Sequence, residues 1–243
     1  MNLSKSNWDF SGEGEFLLVD KPLDWTSFDV VKKVKVLFHV RRVGHAGTLD
    51  PKATGLLIIC TGNKTKIIET FQNEQKEYAG SFELGARTPS FDSETQVVEK
   101  RDYGHVSPEV LHQSLQKFIG KIQQTPPMYS AAKVDGKPLY IYARKGKSVG
   151  RTPREVEVHD FRVTRISYPM VDFNVVCSKG TYIRTLVEDL GNELGCGCTL
   201  RSLRRTRIGE YRVEDALTIE DLIQLRRTLA GNHENRYEVS EPA

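Results

Sequence analysis

Asp50 lies in a glycine-rich segment, "GHAGTLDPKATG" at residues 44–55, which runs directly into the apolar stretch 56–60. Glycines allow backbone conformations and close approaches that other residues resist, and Pro51 fixes the chain just after the aspartate. A carboxylate on such a loop can be aimed at a bound ligand, so Asp50 is the first choice for a nucleophile or general base. The alternative for Asp50 is a structural role in a turn or helix cap. The alternative for His45 is a hydrogen bond to nearby backbone. Phosphoryl transfer with Mg²⁺ is not favoured, because the segment offers no further carboxylate.

A second segment whose residues could take part in catalysis or binding is "CSKGTYIRTLVEDLG" at residues 177–191. A strand-like stretch ends here, a glycine turns the chain, and a helix beginning at Thr181 presents free N–H groups that favour an anion. Tyr182 and Arg184 lie in the first turn of this helix. Arg184 can form a bidentate ion pair with Asp50 or hold a phosphate, and the alternative is a surface cation.

Positive charge is concentrated in the middle of the chain. The 243 residues have a formal net charge of +3, whereas residues 121–212 hold 17 Lys and Arg against 9 Asp and Glu. The segments 143–154 and 201–209 carry much of this charge, the latter including Arg204, Arg205 and Arg207. Clustered cations release counterions from a phosphate backbone, which favours an RNA partner. A solvated basic face is the alternative. The aromatic residues near these segments can stack on bases or belong to the core: Tyr129, Tyr140 and Tyr142.

The elements that position these residues follow from hydrophobic spacing. Apolar runs and alternation predict strands over residues 15–20, 56–60, 76–85, 155–160, 162–167, 172–177 and 199–208. The strand over 76–85 places Tyr78, Gly80, Phe82 and Leu84 on one face. Helical spacing and capping residues predict helices from Thr26 or Ser27 to residue 38, and over 107–120, 138–145, 181–194 and 219–229, and residues 64–71 form an amphipathic segment. This mixture predicts an α+β fold with a mixed, largely antiparallel sheet flanked by helices.

Composition narrows the class of protein. Apolar residues make up 38% of the chain and charged residues 28%, as in ordinary globular proteins. The four cysteines lack metal-ligand spacing, so we expect neither a zinc site nor a disulfide framework. Because the chain shows neither a signal peptide nor an apolar run that could span a bilayer, we expect a cytoplasmic protein that does not bind membranes. We predict a flexible N-terminus at 1–12, one catalytic domain at 13–230 and a flexible tail at 231–243.

The sequence closely resembles the TruB family of tRNA pseudouridine synthases, which convert uridine 55 of the tRNA T loop to pseudouridine. The resemblance runs in order through most of the chain. Five motifs carry it: Val19–Ser27, Gly44–Leu57, Lys76–Gly85, Cys177–Gly191 and Leu203–Gly209.

The resemblance implies the pseudouridine synthase catalytic fold, with the active site in a basic cleft across the sheet. Asp50 matches the essential aspartate, Tyr78 the tyrosine that stacks on the target base, and Arg184 the arginine that pairs with the aspartate. The remaining matches imply substrate contacts: Tyr182 and Leu203 lining the pocket, His45 at the position vacated by the flipped nucleotides, and Lys21 and Pro22 supporting the floor. From the charge pattern, we add Arg204, Arg205 and Arg207 as contacts to RNA.

The implied reaction breaks a glycosidic bond, rotates the uracil and rejoins it through C5. It needs no metal or organic cofactor. Asp50 can attack the sugar, attack the base or abstract a sugar proton, and each route needs an ionised carboxylate. We expect the tRNA T stem-loop as the partner of a monomer that needs no other protein.

Several positions depart from the family pattern. Asp24 stands where glycine is frequent, Ala46 where threonine is common, and Lys52 where an apolar residue is frequent. Because the chain ends soon after Leu229, we expect it to lack the C-terminal RNA-binding domain of many relatives and to bind tRNA more weakly. For the same reason, we do not expect it to be one of the related guide-dependent enzymes of archaea and eukaryotes that modify ribosomal RNA.

Two other functions compete with this interpretation. A noncatalytic RNA-binding or tRNA-folding module would explain the basic segments but not Asp50. A base-removing glycosidase would perform only the first half of the isomerisation.

Overall fold

A computed structural model of the chain describes residues 8–234, with side chains as far as residue 230. The chain divides into two compact units, Met1–Asn73 with Arg205–Ala243, and Glu74–Arg204. The strands are β1 (Phe16–Lys21), β2 (Val43–His45), β3 (Ala53–Thr61), β4 (Lys76–Leu84), β5 (Ala86–Arg87), β6 (Glu99–Lys100), β7 (Gly120–Gln124), β8 (Lys133–Val134), β9 (Lys137–Pro138), β10 (Arg154–Ser167), β11 (Met170–Cys177), β12 (Cys198–Ile208) and β13 (Tyr211–Arg212). The α-helices are α1 (Ser27–Leu37), α2 (Ile68–Asn73), α3 (Pro108–Gln116), α4 (Leu139–Ala143), α5 (Ile183–Glu193) and α6 (Ile219–Glu234), with 3₁₀ turns at Gly62–Ile67 and Val213–Asp215.

The first unit is built around the antiparallel pair of β1 and β3, which runs in register from Phe16 opposite Cys60 to Lys21 opposite Gly55. Side chains of a strand alternate between its two faces. Those of β1 and β3 enter two apolar clusters, one shared with α1 and α6 and the other with α2 and Val213. Burial on both faces explains why the sequence of β3 is continuously apolar rather than alternating.

Capping chemistry sets the start of α1. The Asp29 amide donates to Thr26 Oγ1 at 3.1 Å, and the Thr26 amide donates to Asp29 Oδ2 at 2.9 Å. This reciprocal capping box confirms the start predicted from the sequence.

The predicted flexible ends, residues 1–12 and 231–243, lie only partly within the described residues. Residues 1–7 lie outside the described residues, but Phe10 is buried and stacks on Phe38 with ring centroids 4.0 Å apart. Helix α6 continues past the predicted end at Leu229 to Glu234, and residues 235–243 lie outside the described residues. The predicted single domain over 13–230 stays a prediction.

The second unit contains an antiparallel sheet in the order β4-β11-β10-β7. Helices α3 and α5 belong to this unit, and α3 contacts both β10 and α5. Phe82, Phe161 and Phe173 contribute ring contacts to its core. The short strands β8 and β9 form a hairpin around Asp135 and Gly136, both of which have positive φ.

Two predictions in this unit were wrong, a break between two strands and the end of a helix. The segments 155–160 and 162–167 form one strand, β10, because Phe161 at the junction is buried and two register shifts against β11 absorb the break in pattern. The helix predicted to reach residue 120 ends at Gln116, and Gly120–Gln124 forms β7 by pairing with β10. This pairing partner is distant in sequence, so local spacing did not reveal it.

The architecture is α+β with largely antiparallel strand pairing, as predicted. A parallel bridge between Val19 and Leu217 joins two segments of the first unit. No helix within residues 8–234 combines the length and apolar character needed to cross a bilayer.

Candidate active site

Asp50 occupies the connection between β2 and β3 in the first unit. The two strands pair from Val43 opposite Thr61 to His45 opposite Ile59. The Ala53 amide donates to the Asp50 carbonyl at 3.0 Å, which closes a tight turn directly after the aspartate. Asp50 itself is half-buried and takes part in a further interaction. The loop therefore holds the aspartate in an ordered turn.

A side-chain bond anchors this loop to the start of α1. The Leu49 amide donates to Ser27 Oγ at 2.8 Å, and the Ser27 hydroxyl lies 3.2 Å from the Leu49 carbonyl oxygen. Both residues are buried. Residue 49, next to Asp50, is thus fixed by groups shielded from water.

Lys21, at the end of β1, lies beneath the same loop with 0% of its surface exposed. Its Nζ donates to the carbonyls of Pro22 at 2.9 Å and Trp25 at 2.6 Å, and lies 3.4 Å from that of Pro51. Burial lowers the pKa of Lys21 to about 8, while the negative charges of Asp50 and Asp24 act to raise it. A buried ammonium group therefore supports the Asp50 loop and attracts its carboxylate.

Two of the departures from the family pattern meet in this unit. Asp24 has φ of +64°, a conformation that glycine adopts more readily, and its amide donates to the Pro51 carbonyl at 2.9 Å. Lys52 Nζ lies 2.6 Å from Asp24 Oδ1. The departures at residues 24 and 52 thus form an exposed ion pair that joins the turn after β1 to the Asp50 loop.

His45 ends β2 and is half-buried. Burial lowers its pKa, an effect that a bond to the Gly47 backbone opposes and the charge of Arg205 strengthens. The lowered pKa favours the neutral form of the ring. Among residues 8–230, no hydrogen-bond partner is found for its buried Nδ1. Its assignment as a substrate contact stays a prediction.

Arg205 requires a correction. We expected it to contact RNA, but it is only 1% exposed. Its Nε donates to the Leu56 carbonyl at 2.7 Å and its Nη2 to the Gly47 carbonyl at 3.1 Å. A guanidinium group sealed from water and bonded to main-chain carbonyls cannot bind phosphate, so Arg205 is not a phosphate contact.

Tyr78 lies on β4 in the second unit, opposite Val175 of β11. It is 8% exposed, and Phe82 and Leu84 are buried as alternation predicted. Gly80 is needed where it lies, because a Cβ there would come within 2.5 Å of the Ser202 carbonyl oxygen. The predicted strand is confirmed, and the role of Tyr78 in stacking on the base stays a prediction.

Tyr182 is the N-cap of α5 and is held by Gln124 of β7. The Tyr182 amide donates to Gln124 Oε1 at 2.7 Å, and Gln124 Nε2 donates back to the Tyr182 carbonyl at 3.0 Å. This N–H group at the helix start is therefore already bonded within the protein.

Arg184 is buried in the second unit, with 3% of its surface exposed, so it is not a surface cation. Its Nη1 donates to the Ser90 carbonyl at 3.1 Å and its Nη2 to the Tyr129 carbonyl at 2.7 Å. Its Nε lies 3.6 Å from Asp92 Oδ2. Arg184 also takes part in a further interaction, and its predicted ion pair with Asp50 stays a prediction.

Sequence reasoning missed Asp92, which is 4% exposed. Its Oδ1 accepts from Ser90 Oγ at 2.6 Å and from the Glu94 amide at 2.9 Å. The available signal was the local pattern "SFDSET" at residues 90–95, whose short polar side chains favour turns bonded to their own backbone.

The other predicted substrate-binding residues vary in exposure. Leu203 is 9% exposed, Pro22 and Arg204 are half-buried, and Arg207 Nη1 donates to the Gly209 carbonyl at 3.2 Å. In the segment 143–154, the residues that are exposed include Arg144, Lys145 and Lys147. No group of three His, Cys, Asp or Glu side chains suited to a metal ion occurs in the part of the chain that the structure describes.

Comparisons with known proteins identify the family of the chain. The model of the TruB family pseudouridylate synthase N-terminal domain matches residues 35–183, and that of the tRNA pseudouridylate synthase B C-terminal domain matches residues 184–237. The latter range includes β12, β13 and all of α5 except Ile183. The expectation that the chain lacks a further RNA-binding domain stays a prediction.

Individual relatives are similar over most of the chain. A protein from Flavobacterium johnsoniae called tRNA pseudouridine synthase B is 48% identical over 85% of this chain and 93% of its own length. A protein of the same name from Phocaeicola vulgatus is 48% identical over 86% of this chain and 91% of its own length.

Solved structures share the fold. One chain in the crystal structure of an archaeal box H/ACA sRNP Nop10-Cbf5 complex is 24% identical in sequence and matches 90% of this chain with a TM-score of 0.66. The match spans 55% of the length of that chain. A Cbf5-Nop10-Gar1 complex, 28% identical, also matches 90% of this chain with a TM-score of 0.68, and this chain spans 59% of that chain's length. From the matched models, the identity to relatives and the shared fold, the chain belongs to the TruB family of pseudouridylate synthases.

Proposed function

We propose that the protein is a tRNA pseudouridine synthase that isomerises uridine 55 of the T loop, with Asp50 as the catalytic carboxylate. Relatives at 48% identity over more than nine-tenths of their length bear the name tRNA pseudouridine synthase B, which supports action on tRNA. The observation that carries the role of Asp50 is the arrangement around it: a closed turn, an anchored neighbour at Leu49 and a buried cation at Lys21.

The reaction sets the requirements for Asp50. Cleavage of the glycosidic bond and reattachment through C5 release the C5 hydrogen to solvent, with no net oxidation or reduction. Attack on the sugar, attack on the base and removal of a sugar proton all use a carboxylate in its ionised form. The ammonium group of Lys21 attracts the negative charge of Asp50 and lies 3.4 Å from the Pro51 carbonyl oxygen in the same loop.

Tyr78 and Arg184 complete the proposal from the second unit. A uridine in a stacked loop must leave its stack to be reached, which costs a few kcal/mol, and an aromatic ring that stacks on the uracil offsets part of this cost. Tyr78 is the aromatic residue that the family motif indicates for this role. Two main-chain carbonyls and Asp92 hold the Arg184 guanidinium group in place. A cation that positions a carboxylate must itself be fixed in this way.

Binding of the surrounding RNA is assigned to cations near the protein surface. Arg204, Arg207 and the exposed residues of segment 143–154 are the proposed phosphate contacts. This binding is electrostatic and must weaken as the salt concentration rises.

The test measures release of tritium from a tRNA transcript labelled at C5 of uridine, under single-turnover conditions. We expect wild-type protein to release one tritium per tRNA and Asp50→Asn to lower the rate at least about 10²-fold, as for loss of a catalytic acid or base. The matched control is Asp102→Asn, an exposed aspartate whose bond to the Gly104 amide an asparagine can keep. Binding of tRNA without tritium release by wild-type protein would reject the enzymatic proposal, and free uracil would indicate a glycosidase.

The proposal includes no cofactor, no obligatory protein partner, a monomeric state and a cytoplasmic location. We expect the purified chain to retain its rate after dialysis against a chelator and to elute at the mass of one 27.5 kDa chain. Loss of activity on chelation or a requirement for an added protein would contradict this part.

A further inference from the structure

Arg205 is the most unusual buried group in the first unit. It is among the largest side chains with less than 2% of their surface exposed, and it carries a positive charge. Moving a cation out of water costs several kcal/mol unless nearby groups compensate. The contacts of Arg205 therefore indicate what its burial provides.

Those contacts lie on both sides of Asp50. The Gly47 carbonyl, which accepts from Nη2, lies three residues before the aspartate, and the Leu56 carbonyl, which accepts from Nε, lies six residues after it. The planar guanidinium group presents its donors in a fixed geometry. One side chain therefore links the two limbs of the loop, the segment from Gly47 to Asp50 and the segment from Asp50 to Leu56. A lysine cannot reproduce this because its single nitrogen is a point donor.

The backbone of the same residue adds a second constraint. Gly55 has φ of +103°, and a Cβ there would lie 2.3 Å from the Arg205 carbonyl oxygen and 2.7 Å from its amide nitrogen. The loop limb that ends at Gly55 is thus in direct contact with the main chain of β12, while its other limb is held by the guanidinium group.

The charge of Arg205 also reaches the polar residues around the loop. It acts to lower the pKa values of both His45 and Lys21. Lys21 is in turn attracted by Asp50. Two buried cations, Arg205 and Lys21, therefore lie within electrostatic reach of each other, and Lys21 is also within reach of the Asp50 carboxylate.

We propose that Arg205 is a positioning residue for the isomerisation, a clamp that links Gly47 to Leu56 and thereby fixes the direction of the Asp50 carboxylate. The inference rests on the proposed catalytic role of Asp50. Arg205 acts through the loop and does not touch RNA, so its loss lowers the rate of the chemical step without weakening tRNA binding.

The test compares Arg205→Lys and Arg205→Gln with Arg162→Lys, an exposed arginine on β10. For both Arg205 variants we expect the single-turnover rate at saturating enzyme to fall about 10–100-fold, as for misplacement of a catalytic group by about 1 Å. The Kd for tRNA and its salt dependence stay within twofold of wild type. A rate within twofold of wild type, or an equal change in Kd and rate, overturns the proposal.

A measurement on the wild-type protein tests the same proposal if the Arg205 variants fail to fold. The Ala53 amide, at the start of β3 and bonded to the Asp50 carbonyl, must exchange its hydrogen about as slowly as amides in the middle of β3 if the loop is clamped. Exchange as fast as that of an exposed loop overturns the clamp. If wild-type protein forms no pseudouridine but Ala53 is protected, the proposed function fails while the clamp stands.

Discussion

Replacement of Gly55 by alanine is the sharpest structural perturbation of the Asp50 loop. At φ of +103°, a residue with a Cβ pays roughly 1–2 kcal/mol in backbone strain. The new Cβ would also lie 2.3 Å from the Arg205 carbonyl oxygen, where ordinary van der Waals distances begin at 3.4 Å. The main chain must move by about 1 Å, and overpacking of this kind costs about 1–3 kcal/mol more.

The matched control is Gly120→Ala. Gly120 has φ of +98°, and a Cβ there meets nothing within 4 Å, so this variant carries the strain without the clash. Both replacements change the unfolded chain in the same way, so their difference isolates the clash with Arg205.

Urea unfolding followed by circular dichroism measures both costs. We expect Gly55→Ala to lower the free energy of unfolding by roughly 1–3 kcal/mol more than Gly120→Ala. The single-turnover rate of Gly55→Ala should fall as well, because the displaced limb carries Asp50. Equal destabilisation by the two variants would refute the close approach of Gly55 to β12.

Three further predictions concern charge. The pKa of Lys21 is lowered from 10.5 to about 8 in the folded protein. Between pH 8 and 10.5 the unfolded chain therefore binds more protons than the folded protein, so the free energy of unfolding rises with pH across this window. The gain is about 3 kcal/mol, from about 1.4 kcal/mol per pKa unit, and urea unfolding from pH 7.5 to 10.5 should show it in wild type but not in Lys21→Met. Replacing Arg204 or Arg207 by glutamine should reduce the slope of log K against log salt by up to about 0.9 for each phosphate that the side chain neutralises, and an unchanged slope would place these side chains away from RNA. Asp92→Asn should lower the single-turnover rate at least about 10-fold with tRNA affinity unchanged, because Arg184 loses its buried carboxylate partner; an unaltered rate would show that this pair does not affect the chemical step.

Local signals predicted the elements that carry the site. Thr26 and Asp29 form the capping box at the start of α1, and alternation around Tyr78 identified β4. Gly47 and Gly55, with positive φ, agree with the tight glycine-rich loop expected around Asp50. These features depend on residues close in sequence, so their pattern is visible without the fold.

The errors concern groups whose environment is set by distant residues. Arg205 looked like a surface cation because its carbonyl acceptors, Gly47 and Leu56, lie about 150 residues earlier in the chain. Asp92 was missed because its partner Arg184 is likewise distant. Burial of a charge is decided by tertiary contacts, and residue type alone predicts the opposite.

The central claim is that one carboxylate, Asp50, drives isomerisation of a single uridine in tRNA. The direct measurement is to map pseudouridine at nucleotide resolution in a tRNA transcript after incubation with wild-type protein or with Asp50→Asn. The account predicts one pseudouridine, at position 55, with the wild-type protein and none with the variant. Pseudouridine at another position, or equal modification by Asp50→Asn, would contradict it.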